Sequence, residues 1–170
     1  MVSRYPKPII FIHWLTLVLL IVAYISSGNP MYNGVQGQIH VVSGFTIFVL
    51  FFIRLGVLIF YRNELPQNEI FNKVQEILFK IVRFLLYLCL VIVPLFGWLA
   101  LSSLTDHFQL FNLNIPLLSS AESFNFLGNL HQLLGNVFVT LVGLHACAAL
   151  LHHFVRKDNV LKSMLFYRNK

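Results

Sequence analysis

The chain is 170 residues long, 58% hydrophobic and only 11% charged, with a mean hydropathy of +0.77. Soluble domains run at about 25% charged, so too little polar surface exists here to cover a water-facing globule, which argues against a soluble enzyme, a disordered chain or a disulfide-stapled secreted domain. The net charge of +6, from twelve Lys and Arg against six Asp and Glu, flanks apolar runs and therefore reads as membrane topology, with no nucleic-acid partner.

Four apolar stretches, each long enough to cross about 30 Å of hydrocarbon as a helix, follow in chain order. The first covers about 8–26, opened by Pro6 and Pro8 and stopped by Gly28-Asn29-Pro30. Arg4 and Lys7 ahead of an apolar run also fit a signal peptide. The run is too long for one and ends Tyr24-Ile25-Ser26-Ser27 rather than in a small-x-small cleavage site, so it reads as a retained anchor. The second stretch covers about 38–60 and the third about 77–101, with the most polar part of the chain, 61–76, between them. A loop over about 102–125, containing Asp106, Asn112, Asn114, Pro116 and Ser119-Ser120, precedes the fourth stretch at about 126–155. A loop of that length is often functional or forms a cap. The runs are continuous rather than alternating, which excludes a β-barrel. Cys89 and Cys147 lie inside them and read as small buried hydrophobes, and no CxxCH motif is present.

The predicted fold is all-α: one integral membrane domain over 1–170, a four-helix transmembrane bundle. Arg4 and Lys7 precede the first span, Arg62, Lys73, Lys80 and Arg83 lie between or beside the second and third, and Arg156, Lys157, Lys162, Arg168 and Lys170 follow the fourth. The connections after the first and third spans contain no Lys or Arg. Both termini and the middle connection are therefore expected in the cytoplasm, with the chain multi-pass in a bacterial inner membrane.

Imidazole within hydrocarbon is uncommon and usually functional. His13 lies in the first span toward its cytoplasmic end; His40 in the second and His131 in the fourth each lie about one turn inside an outer end. His145 follows His131 by fourteen residues, which returns to within about 40° of the same helix face while advancing about 21 Å. The fourth span thus presents two imidazoles at two depths, one expected opposite His40 and the other opposite His13. Two pairs at two levels are what two bis-histidine b haems require, since each iron takes axial nitrogens from separate helices. Gly44 and Gly135 each stand four residues past one of these histidines, where a missing side chain would admit a porphyrin edge. A lone interhelical hydrogen bond would explain one such histidine but not four. The two levels are too far apart to share a tetrahedral zinc, and a cation carrier needs carboxylates that these spans lack. Arg54, fourteen residues past His40, is expected either at the inner level, paired with a haem propionate or another anion, or snorkelling to the interface. His152, seven residues past His145 with Lys7, Arg83 and Arg156 nearby, is expected to hold a quinone head or to be a plain polar helix end. Trp14 and Trp98 read as packing or interface residues.

These residues also carry a resemblance. Ile12-His13-Trp14-Leu15, Ile39-His40-Val41, Pro94-Leu95-Phe96-Gly97 and the run 143–153 closed by Lys157-Asp158-Asn159 resemble the bacterial cytochrome b561 family over nearly the whole chain. The resemblance implies a diheme b protein of the inner membrane that exchanges electrons with ubiquinone. The family activity it implies is superoxide oxidase, in which superoxide gives up an electron and quinone is reduced to quinol. It matches His13, His40, His131 and His145 to haem-ligand positions and His152 to the quinone-side histidine. One departure bears on the electron donor. Positive charge on the outer face would steer superoxide, yet the outer connections carry only Asp106 and Glu122, with His107 able to titrate. The outer propionates would then rely on neutral donors such as Gln38, Gln132, Ser102 or His107.

The expected function is an oxidoreductase in which an electron enters at His40/His131, passes to His13/His145 and reduces quinone near Arg54 and His152. The expected partners are the quinone pool, the lipid bilayer and superoxide or another periplasmic donor. The alternative is an electron-relay anchor for a periplasmic redox partner, docked on the outer loop through Phe108, Leu110, Phe111, Leu113 and Ile115; otherwise that loop caps the outer haem.

Overall fold

A computed structural model describes residues 4–28, 30, 34–66, 72–118 and 124–166, with side chains from 126 onward in the last segment. Asn29, Ser119-Ser120, Glu122, Arg168 and Lys170 lie outside the described residues. The four long helices are α1 (Lys7–Ile25), α2 (Gly34–Phe60), α3 (Lys73–Leu104) and α4 (Phe124–Leu151). All four apolar stretches are thus helices long enough to cross a membrane, with mean hydropathies of 1.9 to 2.5. Pro8 falls in the first turn of α1, where a missing N–H costs no helical bond. α3 begins four residues before the expected 77. The Asn72 side chain accepts from the Gln75 N–H (2.9 Å) and the Gln75 side chain accepts from the Asn72 N–H (3.3 Å), so a capping box starts the helix in polar sequence.

α1 packs on α2, α2 on α3 and α3 on α4, while α4 stands off from α1 and α2. Ala23, Ile47, Leu90 and Phe138, one from each helix, form the buried centre, with Leu19, Phe51, Tyr87 and Val142 packed on them. Elsewhere large apolar side chains point outward, Ile59 at 70% and Phe60 at 81% exposure, as in a bundle whose outer solvent is lipid. Gly37 permits the tight passage from α1 to α2, because a Cβ there would lie 2.6 Å from Pro30 Cα.

Two folded pieces close the ends. Between α3 and α4, where sequence predicts only a loop, β1 (Phe108–Leu110) and β2 (Leu113–Ile115) pair antiparallel. Phe111 and Asn112 join them at φ of 46° and 69°, the left-handed backbone of a two-residue hairpin turn. The hairpin is pinned to α3: Trp98 Nε1–H donates to Pro116 O (3.0 Å), and Leu118 N–H donates to Ser102 Oγ (3.2 Å). At the other end α4 runs into a π turn (His152–Arg156), Lys157 turns the chain at φ 56°, and α5 (Val160–Ser163) folds back over α1. Tyr5 N–H donates to Ser163 O (3.1 Å) and Trp14 Nε1–H to Met164 O (2.8 Å). Both described ends of the chain therefore meet at one end of the bundle, the basic end, opposite the hairpin end.

Asp158 anchors this tail, its carboxylate accepting from Val160 N–H (3.1 Å) and bonded to the His152 ring at 2.5 Å. Burial alone would raise the Asp158 carboxyl, but those two hydrogen bonds and the Arg156 charge together hold it below the usual carboxylate range. A carboxyl lowered on folding stabilises above its unfolded value and loses that contribution as pH falls, so protection of 157–166 from exchange or proteolysis should persist at neutral pH and fade below about pH 4. Asp158→Asn should abolish that pH dependence. Trp14→Phe should cost the tail about 1 kcal/mol, seen as faster exchange at 160–165 with α2 and α3 unchanged.

Candidate functional site

The four histidines of the spans meet in two pairs across the bundle. His40 of α2 and His131 of α4 have ring centroids 5.9 Å apart with planes crossing at 80°. His13 of α1 and His145 of α4 are 6.3 Å apart at 76°. Two metal–imidazole bonds of about 2 Å, in line, put the ring centres of a trans pair about 6 Å apart. Each separation matches that spacing. No cluster of three or more His, Cys, Asp and Glu suited to a metal occurs among the described residues. Two imidazoles are an incomplete set for zinc and a complete axial set for an iron whose other positions a porphyrin fills. The stand-off of α4 from α1 and α2 leaves width between the backbones, and the paired imidazoles reach across it.

The hairpin-end pair is set by backbone carbonyls. His40 Nδ1 lies 2.8 Å from Ala23 O, and His131 Nδ1 lies 3.1 Å from Val93 O. A carbonyl only accepts, so each Nδ1 carries the proton and each Nε2 keeps the lone pair a ligand needs. Gly97 makes the second bond possible: a Cβ there would lie 2.9 Å from His131 Cε1. Spacing arguments pass over Gly97, although it stands in the Pro94–Gly97 stretch of the resemblance. Gly44 and Gly135 differ from it, since no atom lies within 4 Å of where their Cβ would be, and the space beside them is open. Of the neutral donors expected near this pair, Ser102 is engaged with Trp98 O and Leu118 N–H, while His107 and Gln132 are exposed.

The basic-end pair is set by a charge. Arg54 Nη1 lies 3.4 Å from His13 Nδ1, and its guanidinium stands 5.6 Å from the Tyr87 ring centre. Arg54 Nε is buried without a hydrogen-bond partner. The side chain therefore turns inward at the level of His13 and His145 instead of reaching for the interface. A guanidinium has five donors and no acceptor, and this one is short of acceptors; the carboxylates of a haem would supply them. With Arg54 drawn to a carboxylate, His13 Nδ1 can hold its own proton and leave Nε2 to ligate. Both pairs thus fit haem b.

His152 lies apart from the pairs, at the start of the π turn and bonded to Asp158. Beside it a cavity of about 330 Å³ opens between the start of α3 and the end of α4, lined by Gln75, Ala148, Leu151, His152, Val155 and Arg156. Its size suits the head of a small organic ligand. Arg156 shares this cavity, whereas Lys7, Arg83 and Arg54 do not line it, so Arg54 belongs with His13 and not with His152. Gln75 and Asp158 are the cavity-side residues that helical spacing misses, because one is a helix cap and the other lies past the end of α4.

The family model for prokaryotic cytochrome b561 matches residues 4–167. A Yersinia pestis protein named probable superoxide oxidase CybB is 32% identical over 167 residues, covering 91% of each chain. Cytochrome b561 homolog 1 of Escherichia coli K12 is 27% identical over 175 residues, covering 96% of this chain and 97% of its own. With its paired imidazoles and four membrane-length helices, the chain belongs to the prokaryotic cytochrome b561 family and is a multi-pass b-type cytochrome of the bacterial inner membrane.

Proposed function

We propose that this cytochrome binds two b haems and conducts electrons from the periplasmic side to ubiquinone near the cytoplasmic side. The observation that carries the reading is the pair of cross-bundle imidazole contacts at 5.9 and 6.3 Å. His40 and His131 would hold one haem and His13 and His145 the other, with Arg54 on a carboxylate and Gly44, Gly97 and Gly135 leaving room. When bound, haem supplies reversible one-electron chemistry. The chain does the rest. The carbonyls of Ala23 and Val93 fix ring orientation at the hairpin-end pair. The basic residues orient that end toward the cytoplasm.

The cavity at Gln75, His152 and Arg156 is the proposed quinone site. Arg156 favours negative charge developing on a quinone oxygen, and His152, backed by Asp158, is suited to hand that oxygen a proton. Superoxide as donor is supported by the name of the Yersinia pestis relative. The outer connections lack Lys and Arg, so collection of this anion proceeds without electrostatic steering. A second reading is favoured by the hairpin, where Phe111 is 58% and Leu113 69% exposed: this face docks a periplasmic redox protein.

Pyridine haemochrome counting should give two b haems per chain. His131→Ala, or Gly97→Val, should remove one and His145→Ala the other; spectra unchanged by all of these substitutions would refute the pairing. Purified protein given a superoxide source should reduce added ubiquinone, with a second-order rate that changes little with ionic strength. Intact haem without quinone-dependent turnover rejects superoxide as donor. Recovery of a stoichiometric periplasmic partner from native membranes then supports the docking reading.

A further inference from the structure

We propose that Arg54 makes the His13/His145 pair the stronger electron acceptor of the two, so that electrons run from the hairpin end to the basic end. This deepens the two-haem reading and rests on it. The two pairs differ in what surrounds them. At the hairpin end, both His40 and His131 donate Nδ1–H to backbone carbonyls at 2.8 and 3.1 Å. Such bonds push electron density into the ring, make it a better donor and stabilise an oxidised metal. No cation offsets this: α2 carries none before Arg54, α3 none after Arg83 and α4 none before the π turn.

At the basic end the neighbour of His13 Nδ1 is the Arg54 guanidinium at 3.4 Å, a group that accepts no hydrogen bond and so gives this ring none of the electron density that a carbonyl would. Among the described residues no carboxylate forms an ion pair with it, and 7–25, 34–60, 77–104 and 124–156 contain no Asp or Glu. Tyr87 presents its ring face to the guanidinium, and Arg83 is a second cation on this side, acting with Arg54 on Tyr5. In a medium of low dielectric, a fixed cation makes an added electron nearby more stable. Should the guanidinium clasp a carboxylate of the cofactor instead, it cancels negative charge at the same place, and the sign is unchanged. With haems held by the two pairs, the favoured step would move one electron from the group that His40 and His131 hold, which is oxidised, to the group that His13 and His145 hold, which is reduced, with no bond or proton exchanged.

Potentiometric titration of the purified holoprotein, followed in its visible bands, tests this. His131→Ala or His40→Ala leaves only the basic-end component, whose wave should be the higher of the two seen in the wild type. Arg54→Gln should lower that wave by at least a tenfold change in its reduction constant, about 59 mV for one electron, and leave the lower wave in place. Arg54→Lys should restore most of the shift. A remaining wave at the lower position, equal shifts of both waves, or no shift overturns the assignment. If Arg54→Gln loses the basic-end haem, the order of the waves decides alone. Fewer than two haems per wild-type chain rejects the two-pair reading itself, whereas two haems in the reverse order reject only the role of Arg54.

Discussion

An imidazole carried into a membrane span has two ring nitrogens to satisfy and no water to satisfy them. Here the partners come from across the bundle. His40 reaches Ala23 O on α1 and His131 reaches Val93 O on α3. Each bond fixes one nitrogen and leaves the other free of that carbonyl, in a ring beside a histidine of a different helix. The position of α4 follows from this. It lies along α3, where Gly97 lets the His131 ring in, and keeps its distance from α1 and α2, where the proposed haems would fit.

The two ends of the bundle solve the same task with different means. At each, an indole N–H ties a connecting segment to a span: Trp98 holds the hairpin through Pro116 O, and Trp14 holds the tail through Met164 O. The hairpin end has no Lys or Arg, carries Asp106 beside β1 and relies on backbone carbonyls, while the basic end relies on Arg54, Arg156 and the His152–Asp158 pair. The difference in charge that orients the chain in the membrane is thus also a difference in the electrostatic surroundings of the two sites.

Much of this is legible in the sequence. Continuous apolar runs mark all four spans, and fourteen-residue spacing brings His131 and His145 onto one face because seven residues make nearly two turns. What escapes is what depends on partners. The early start of α3 comes from a side-chain exchange between Asn72 and Gln75 in a stretch that reads only as polar. The hairpin turn is Phe111-Asn112, without the glycine that usually announces such a turn. The π turn at His152 leaves no periodic trace. Ala23 and Val93 act through carbonyls, which every residue has, so no side chain advertises the role. Gly97 matters only once the neighbouring ring is known to lie against it, and the separation of Arg54 from His152 needs the third dimension.

Phe138 stands seven residues from both His131 and His145, buried with Ala23, Ile47 and Leu90 in a layer of hydrocarbon between the two imidazole levels. Proton relays through membranes run along carboxylates, imidazoles and water, and these four residues offer none of them. An electron tunnels through such a layer and a hydron does not. In the proposed two-haem reading, traffic between the levels would therefore separate charge, and the acidity that a reduced product consumes would be drawn from the compartment on its own side.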